Sequence, residues 1–307
     1  MAAGSVRRVG RAYNTISLLT DLGHGDESVG VLHAIARDLV PDVAVIDLAH
    51  DTPVGDVRTA SMMLARAIGY LPEGIVVASV GVGLGEHRRH IAIQIADGAG
   101  ILIGPDNGLL APAVAMVGGA DRSVVLDNDE LWLPSPGAVW PVRDLLMPVA
   151  ARLCEGADLG EVGSDLDPYT VQPGVVPLSR ADDDGIVAEV IGVSRSGACQ
   201  TNLDPDEIAD WGNEMSVTVL NDDADERVAH RITNAPGAPG LPIERLGPGS
   251  IGLILDPHGL VTLVAGHRPA TDELRVTTGS ALRFCRLDEA SAARGVTTKV
   301  QLRSPKP

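Results

Sequence analysis

Asp21 follows a short apolar stretch, Thr15–Thr20, and precedes a glycine-containing loop, Gly23-His24-Gly25-Asp26. A carboxylate at the end of a buried strand can cap a helix, bond the loop beside it, or accept hydroxyl donors from a ligand. Asn107 sits in the turn Pro105-Asp106-Asn107-Gly108, where its amide can both donate and accept and its backbone tolerates a left-handed conformation. Between the two lies Gly81-Val82-Gly83-Leu84-Gly85, followed by Arg88-Arg89. Those glycines could be mistaken for a dinucleotide loop. That fingerprint requires a helix to follow, with phosphate on its N-terminus, and the run Arg88–Ala96 reads as strand. Asp47 and His50 close a further apolar run and read as hydrogen-bonded support. The acidic runs Asp127–Glu130, Asp182–Asp184 and Asn221–Glu226 lack calcium-loop spacing and read as solvated turns. There is no Gly-x-Ser-x-Gly elbow and no His-Glu-x-x-His helix. The three cysteines, Cys154, Cys199 and Cys285, have no CxxC spacing, so they read as buried thiols in a reducing compartment and not as a structural zinc site.

The elements that would position these residues follow from hydrophobic periodicity. Thr15–Thr20, Val43–Leu48 and Ile75–Val80 read as buried strands. Glu27–Leu39 is helical, with Val29, Leu32, Ile35, Ala36 and Leu39 at helical spacing, and Pro41 stops it. Asp56–Ile68 is a second helix, with Val57, Ala60, Met63, Leu64 and Ala67 on one face. The β-loop-α-β-α-β order predicts a sheet covered by helices. His90–Ala96 and Gly100–Gly104 form a strand pair across Asp97-Gly98. Gly108–Val117 reads as helix, Ser123–Leu126 as strand and Arg143–Leu153 as helix. After Asp184 the texture changes to short alternating runs, Ile186–Val193, Glu214–Leu220, Arg227–Ile232, Ser250–Asp256, Leu260–Ala265 and Ala281–Cys285, separated by turns such as Ala235–Pro242. The expected architecture is an α/β N-terminal sandwich domain plus an all-β, small barrel-like C-terminal domain. Its expected boundaries are a flexible N-terminus at 1–14, the α/β domain at 15–165, a linker at 166–180, the β domain at 181–288 and a flexible tail at 289–307.

The 307-residue chain is long enough for one large or two modest domains, and its net charge of −17 would repel a phosphate backbone or an anionic bilayer. Nucleic acid and membrane are therefore not expected partners. The arginine-containing start has no apolar run behind it, so it does not read as a signal peptide. No segment approaches the roughly 20 apolar residues of a membrane span. A cytoplasmic location is the expectation.

Four segments in order resemble the SAM (S-adenosyl-L-methionine) hydroxide adenosyltransferases, relatives of the fluorinase and chlorinase enzymes. They are Thr20-Asp21-Leu22-Gly23 with Asp26 and Val29-Gly30, then Ile46-Asp47-Leu48-Ala49-His50, then Gly81-Val82-Gly83 with Arg88-Arg89, and lastly Gly104-Pro105-Asp106-Asn107-Gly108-Leu109-Leu110. Weaker matches are Arg143-Asp144 leading into Pro148-Val149-Ala150-Ala151, and Gly197 with Thr201-Asn202-Leu203. The resemblance implies displacement at C5′ of SAM, by hydroxide to give adenosine and methionine, or by halide in the sister enzymes. SAM would be the substrate, with no separate cofactor. It also implies a homotrimer with sites between subunits. Asp21 would grip the ribose hydroxyls, Asn107 would line the reaction centre, Arg88 or Arg89 would orient the nucleophile with Ser79 nearby, and Thr201 and Asn202 would border the pocket from the neighbouring subunit.

The pattern also breaks. The hydrolase branch sets an Asp, an Arg and a His around the attacking water. Here Ser79 stands in the Asp position and Pro141 in the His position, and the loop Leu84–His87 is longer than the family's. His87 or His90 is a candidate replacement imidazole. The segment Val193–Ala198 lacks the family's Asp, Phe and Asn, and Pro257-His258 stands where Ser-Arg is expected. Trp140 lies where a chlorinating type places Trp, and equally suits a core position. Three readings follow: a SAM hydrolase, a non-catalytic paralogue that binds an adenosine-like ligand or keeps a trimeric scaffold, and a halide-using enzyme.

Overall fold

The computed structural model describes residues 13–82, 88–221, 225–232, 240 and 242–287, which divide into two compact units at Val176/Pro177. The first unit holds strands β1 (Thr15–Thr20), β2 (Ala44–Ala49), β3 (Gly74–Ser79), β4 (His90–Ile95), β5 (Gly100–Pro105), β6 (Ala120–Val125) and β7 (Ser164–Leu166). Its helices are α1 (Ser28–Leu39), α2 (Val57–Ala67), α3 (Ala111–Met116), α4 (Met147–Cys154) and α5 (Leu159–Val162). Among the described residues the strands form one seven-stranded sheet in the order β2-β1-β3-β5-β4-β6-β7. β2, β1, β3 and β5 are mutually parallel, while β4 runs against both β5 and β6.

The period of two in these strands explains the layers. Ile16 and Leu18 of β1, Ile75 and Val77 of β3, and Ile101 and Ile103 of β5 face one core, closed by α1 and α4. Leu19, Val76, Ala78 and Leu102 face the other, closed by α2 and α3. Asp56 starts α2 by accepting from Thr59 N (3.0 Å).

Two stretches differ from the sequence expectation. The helix expected over Arg143–Leu153 begins with a π turn, Val142–Leu146, before α4, and a π turn of this kind often marks a functional position. The periodicity predicts no element between Leu153 and Ile186, yet a helix and a strand occur there before Val176. Asp158 and Glu161 form a reciprocal capping box that starts α5, and β7 then pairs antiparallel with β6. The stretch up to Val176 belongs to the first unit, where Gly174 packs against Pro112 and Gly108.

The second unit contains β8 (Arg180–Asp182), β9 (Gly185–Val193), β10 (Cys199–Thr201), β11 (Glu214–Val219), β12 (Glu226–Arg231), β13 (Ile251–Leu255), β14 (Val261–Ala265), helix α6 (Ala270–Leu274) and β15 (Ala281–Arg286). Its strand order is β10-β14-β13-β12-β11-β15-β9-β8, and β10 pairs with β9 as well as β14, which closes a seven-strand barrel. Closure removes the exposed sheet edges of the barrel strands. Phe284, Met215, Val217, Val190 and Leu263 fill the interior. The Ala235–Pro242 turn, apart from residues 240 and 242, and the tail after 287 lie outside the described residues.

Candidate active site

In an open α/β sheet, ligands bind beyond the carboxyl ends of the strands, where the winding direction reverses. That reversal lies between β1 and β3, because β1 leads outward to β2 and the chain then returns to the other side of β1. Thr20 at the end of β1 is in register with Ser79 at the end of β3. Asp21 and Val80-Gly81 therefore emerge side by side, with Asp106-Asn107 leaving β5 next to them.

One peptide unit joins these groups. Gly81 N donates to Asp21 Oδ2 (3.0 Å), and Asn107 Nδ2 donates to Val80 O (3.0 Å). Both polar groups of the Val80–Gly81 peptide are thus held, one by each predicted ligand-binding side chain. The position demands glycine, since φ is +73° and an added Cβ would lie 2.8 Å from Val57 Cγ2. Asp21 Oδ2 also accepts from Gly55 N (2.9 Å), which ties in the loop before α2. Among the described residues, Oδ1 accepts no hydrogen bond. The two roles weighed for this carboxylate, loop bonding and ligand contact, can therefore reside on different oxygens. Asn107 Oδ1 accepts from Leu109 N (3.2 Å), leaving the second hydrogen on its Nδ2.

Below Asp21 a polar chain runs from the buried Thr20 and His50 out to Asp47 and His33 at the surface. His50 Nδ1 meets Thr20 Oγ1 at 2.7 Å and His50 Nε2 meets Asp47 Oδ1 at 2.9 Å, while His33 Nε2 reaches the same Asp47 oxygen at 2.8 Å. Burial by itself would raise the Asp47 pKa, but the bonds from His50 and His33 outweigh it and hold the carboxyl below its ordinary value.

The other predicted residues separate. Ser79 is buried at the strand end. Arg88 is exposed. Arg89 forks onto Asp106 through Nε and Nη2 and donates from Nη2 to Thr170 O (3.0 Å). Asp106 also accepts from Gln172 N (2.8 Å), so the pair straps the chain across the Asn107 turn. Asp106 escaped the sequence reading. Its acidic side chain immediately after β5, opposite an arginine just before β4, was the available signal. Trp140 is half-buried against the apolar face that also takes Leu22, under the Arg143 guanidinium at 5.4 Å. Its backbone N donates to the buried Asp144 (2.7 Å). His90 is buried in β4 opposite Pro105, and His87 lies outside the described residues.

Thr201 and Asn202 belong to the second unit. Thr201 is fully buried and donates to Val261 O (2.7 Å), and Asn202 exchanges bonds with the Glu189 backbone. The Pro257-His258 turn is organised by Asp256, which accepts from His258 N and Leu260 N. Among the described residues no cluster of His, Cys, Asp and Glu is arranged to hold a metal, and no helix is long and apolar enough to cross a membrane.

The (R)-S-adenosyl-L-methionine hydrolase of Salinispora arenicola is 36% identical over 269 residues, 87% of this chain and 96% of that protein. The chain belongs to the SAM hydroxide adenosyltransferase family. The model of the SAM hydroxide adenosyltransferase N-terminal domain matches residues 16–163 of this family member. The fluorinase of an Actinoplanes species is more distant, 24% identical over 198 residues, 57% of this chain and 66% of that protein. An uncharacterized conserved protein from Thermotoga maritima shares the fold with a TM-score of 0.75 at 26% identity, covering 88% of this chain and all of the other.

Proposed function

We propose that this family member hydrolyses SAM to adenosine and L-methionine by attack of water or hydroxide on C5′. The observation that carries it is the convergence of Asp21 and Asn107 on the Val80–Gly81 peptide at the sheet's reversal point. Asp21 Oδ1 accepts the ribose hydroxyls, a charge-assisted contact, and Asn107 lines the same cleft. In the reaction the water oxygen bonds to C5′, the C5′–S bond breaks, its electron pair stays on sulfur as the neutral thioether, and the proton leaves to solvent. Sulfonium is already a good leaving group, so placing the nucleophile in line supplies much of the rate. Arg88 orients that nucleophile beside Ser79.

Hydroxide is favoured over halide because the hydrolase relationship is closer and spans more of the chain than the fluorinase one. The relatives' name points to the (R) sulfonium epimer as the substrate. The working form is a cytoplasmic homotrimer of the 31.8 kDa chain with sites completed between subunits; Asn202 is the residue the adjoining copy contributes, while Thr201, fully buried and bonded to Val261 O, supports it from within.

The test is incubation with each SAM epimer in ¹⁸O-water. Equimolar adenosine and methionine, with the label in the adenosine 5′-hydroxyl, is the expected result. No adenosine at high enzyme concentration would reject hydrolysis. Tight adenosine binding without turnover would favour the paralogue reading, which Ser79 and Pro141 motivate.

A further inference from the structure

We propose that His50 is a positioning residue for Asp21, acting through Thr20, with its Nε2 proton directed at Asp47 and its Nδ1 turned to the Thr20 hydroxyl. This rests on the reading of Asp21 as the ligand-facing carboxylate. His50 is 1% exposed and Thr20 is 0% exposed, so neither touches a ligand and neither reaches water. The Asp47 carboxylate can only accept, so His50 Nε2 carries the proton in the 2.9 Å bond. Nδ1 then has a lone pair, and the Thr20 hydroxyl donates to it at 2.7 Å. The hydroxyl oxygen still accepts, and it takes Leu22 N at 3.4 Å, on the far side of Asp21.

The backbone repeats the linkage. Thr52 Oγ1 donates to Thr20 O (2.6 Å), and Gly23 N donates to His50 O (2.7 Å). Asp21 is thus bracketed on both sides by bonds that lead to His50–Thr52. The β1/β2 register slips between Leu18, opposite Asp47, and Leu19, opposite Ala49. That bulge inserts a residue between Asp47 and His50, and bulges of this kind re-aim side chains.

The groups facing the His50 ring are Asp47, Thr20 and the edge of His24, whose ring centroid is 5.1 Å away and whose Nε2 lies 4.0 Å from Asp51.

The experiment compares the full-length wild type with Thr20→Val, His50→Gln and His50→Asn. The Asn side chain can accept from Thr20, while the Gln side chain reaches Asp47 but not Thr20. Amide exchange at Gly55 and Gly81, the donors to Asp21, reads its placement without any ligand. Thr20→Val and His50→Gln should each lower protection there about ten-fold relative to core amides such as Ile75, and their combination should cost no more than either alone. His50→Asn should recover part of the protection. KM for SAM should rise in step while kcat falls less. Nitrogen NMR of the wild-type ring should place the proton on Nε2. Unchanged Gly55 and Gly81 protection in folded variants, additive losses, or an Nδ1–H tautomer in the wild type overturns the proposal. Wild type that turns over no SAM would instead defeat the functional reading, leaving exchange and tautomer to judge His50.

Discussion

Replacing Asp21 by Asn separates its two oxygens. In the native site Oδ2 accepts from Gly55 N at 2.9 Å and Gly81 N at 3.0 Å. A charged acceptor contributes roughly 1 kcal/mol more per bond than a neutral one, so neutralisation costs about 2 kcal/mol for two bonds. Partial exposure of Asp21 brings that to about 1 kcal/mol. The amide oxygen takes the Oδ2 place, because two amide donors face it, and the NH₂ group is forced into the Oδ1 place. A ribose hydroxyl then meets a donor where it had met a charged acceptor. Losing that charge-assisted bond and leaving two donors opposed costs about 3 kcal/mol, more than a hundred-fold in affinity. Thermal unfolding should show only a small fall, and calorimetry with adenosine should show the large one. Asp21→Ala should lose as much affinity and more stability, since the Gly55 and Gly81 amides then lack their acceptor. If Asp21→Asn stays folded and binds adenosine within about three-fold of wild type, Oδ1 does not face the ligand and the site is misassigned.

Arg89→Ala should lower stability by about 2 kcal/mol, because it strands the nearly buried Asp106, whereas Arg88→Ala should act mainly on turnover; urea midpoints and kcat separate the two. Asp256 is pushed up by burial but more strongly held down by bonds from Leu260 N, Gln200, His258 N and Thr262, so its folded pKa lies below the unfolded value of about 3.9. Its contribution is therefore complete above about pH 4 and disappears as pH falls through the folded value, so the stability gap between wild type and Asp256→Asn should close in acid; a gap constant from pH 7 to 3 would contradict this. Burial pushes the Cys199 thiol up to about 11, so at pH 8 iodoacetamide should label it only after unfolding, as read by peptide mass spectrometry.

Periodicity alone located the long strands and helices, because the central strands β1, β3 and β5 are buried along their whole length and α1 and α2 are each apolar on one face. Thr15–Thr20 and Ser28–Leu39 fall within a residue of the expected bounds. Short pieces escaped it. Three residues of β7, of β8 or of β10 cannot display a period, and only pairing with β6, β9 and β14 makes them strands. Asp21 and Asn107 stand out as candidate ligand contacts through the motifs that resemble the family; residue type alone allows capping or turn roles equally well.

What the chain order could not state is who meets whom. Asp21 and Gly81 are 60 residues apart and Asn107 and Val80 are 27 apart, and the sheet order β1-β3-β5 places them on one peptide. Arg88 and Arg89 were equivalent as letters; the β4/β5 register, with His90 opposite Pro105, is what delivers Arg89 to Asp106. Hydrogen bonds act over about 3 Å, so residue type can supply the donor and acceptor, but only the folded sheet supplies the distance.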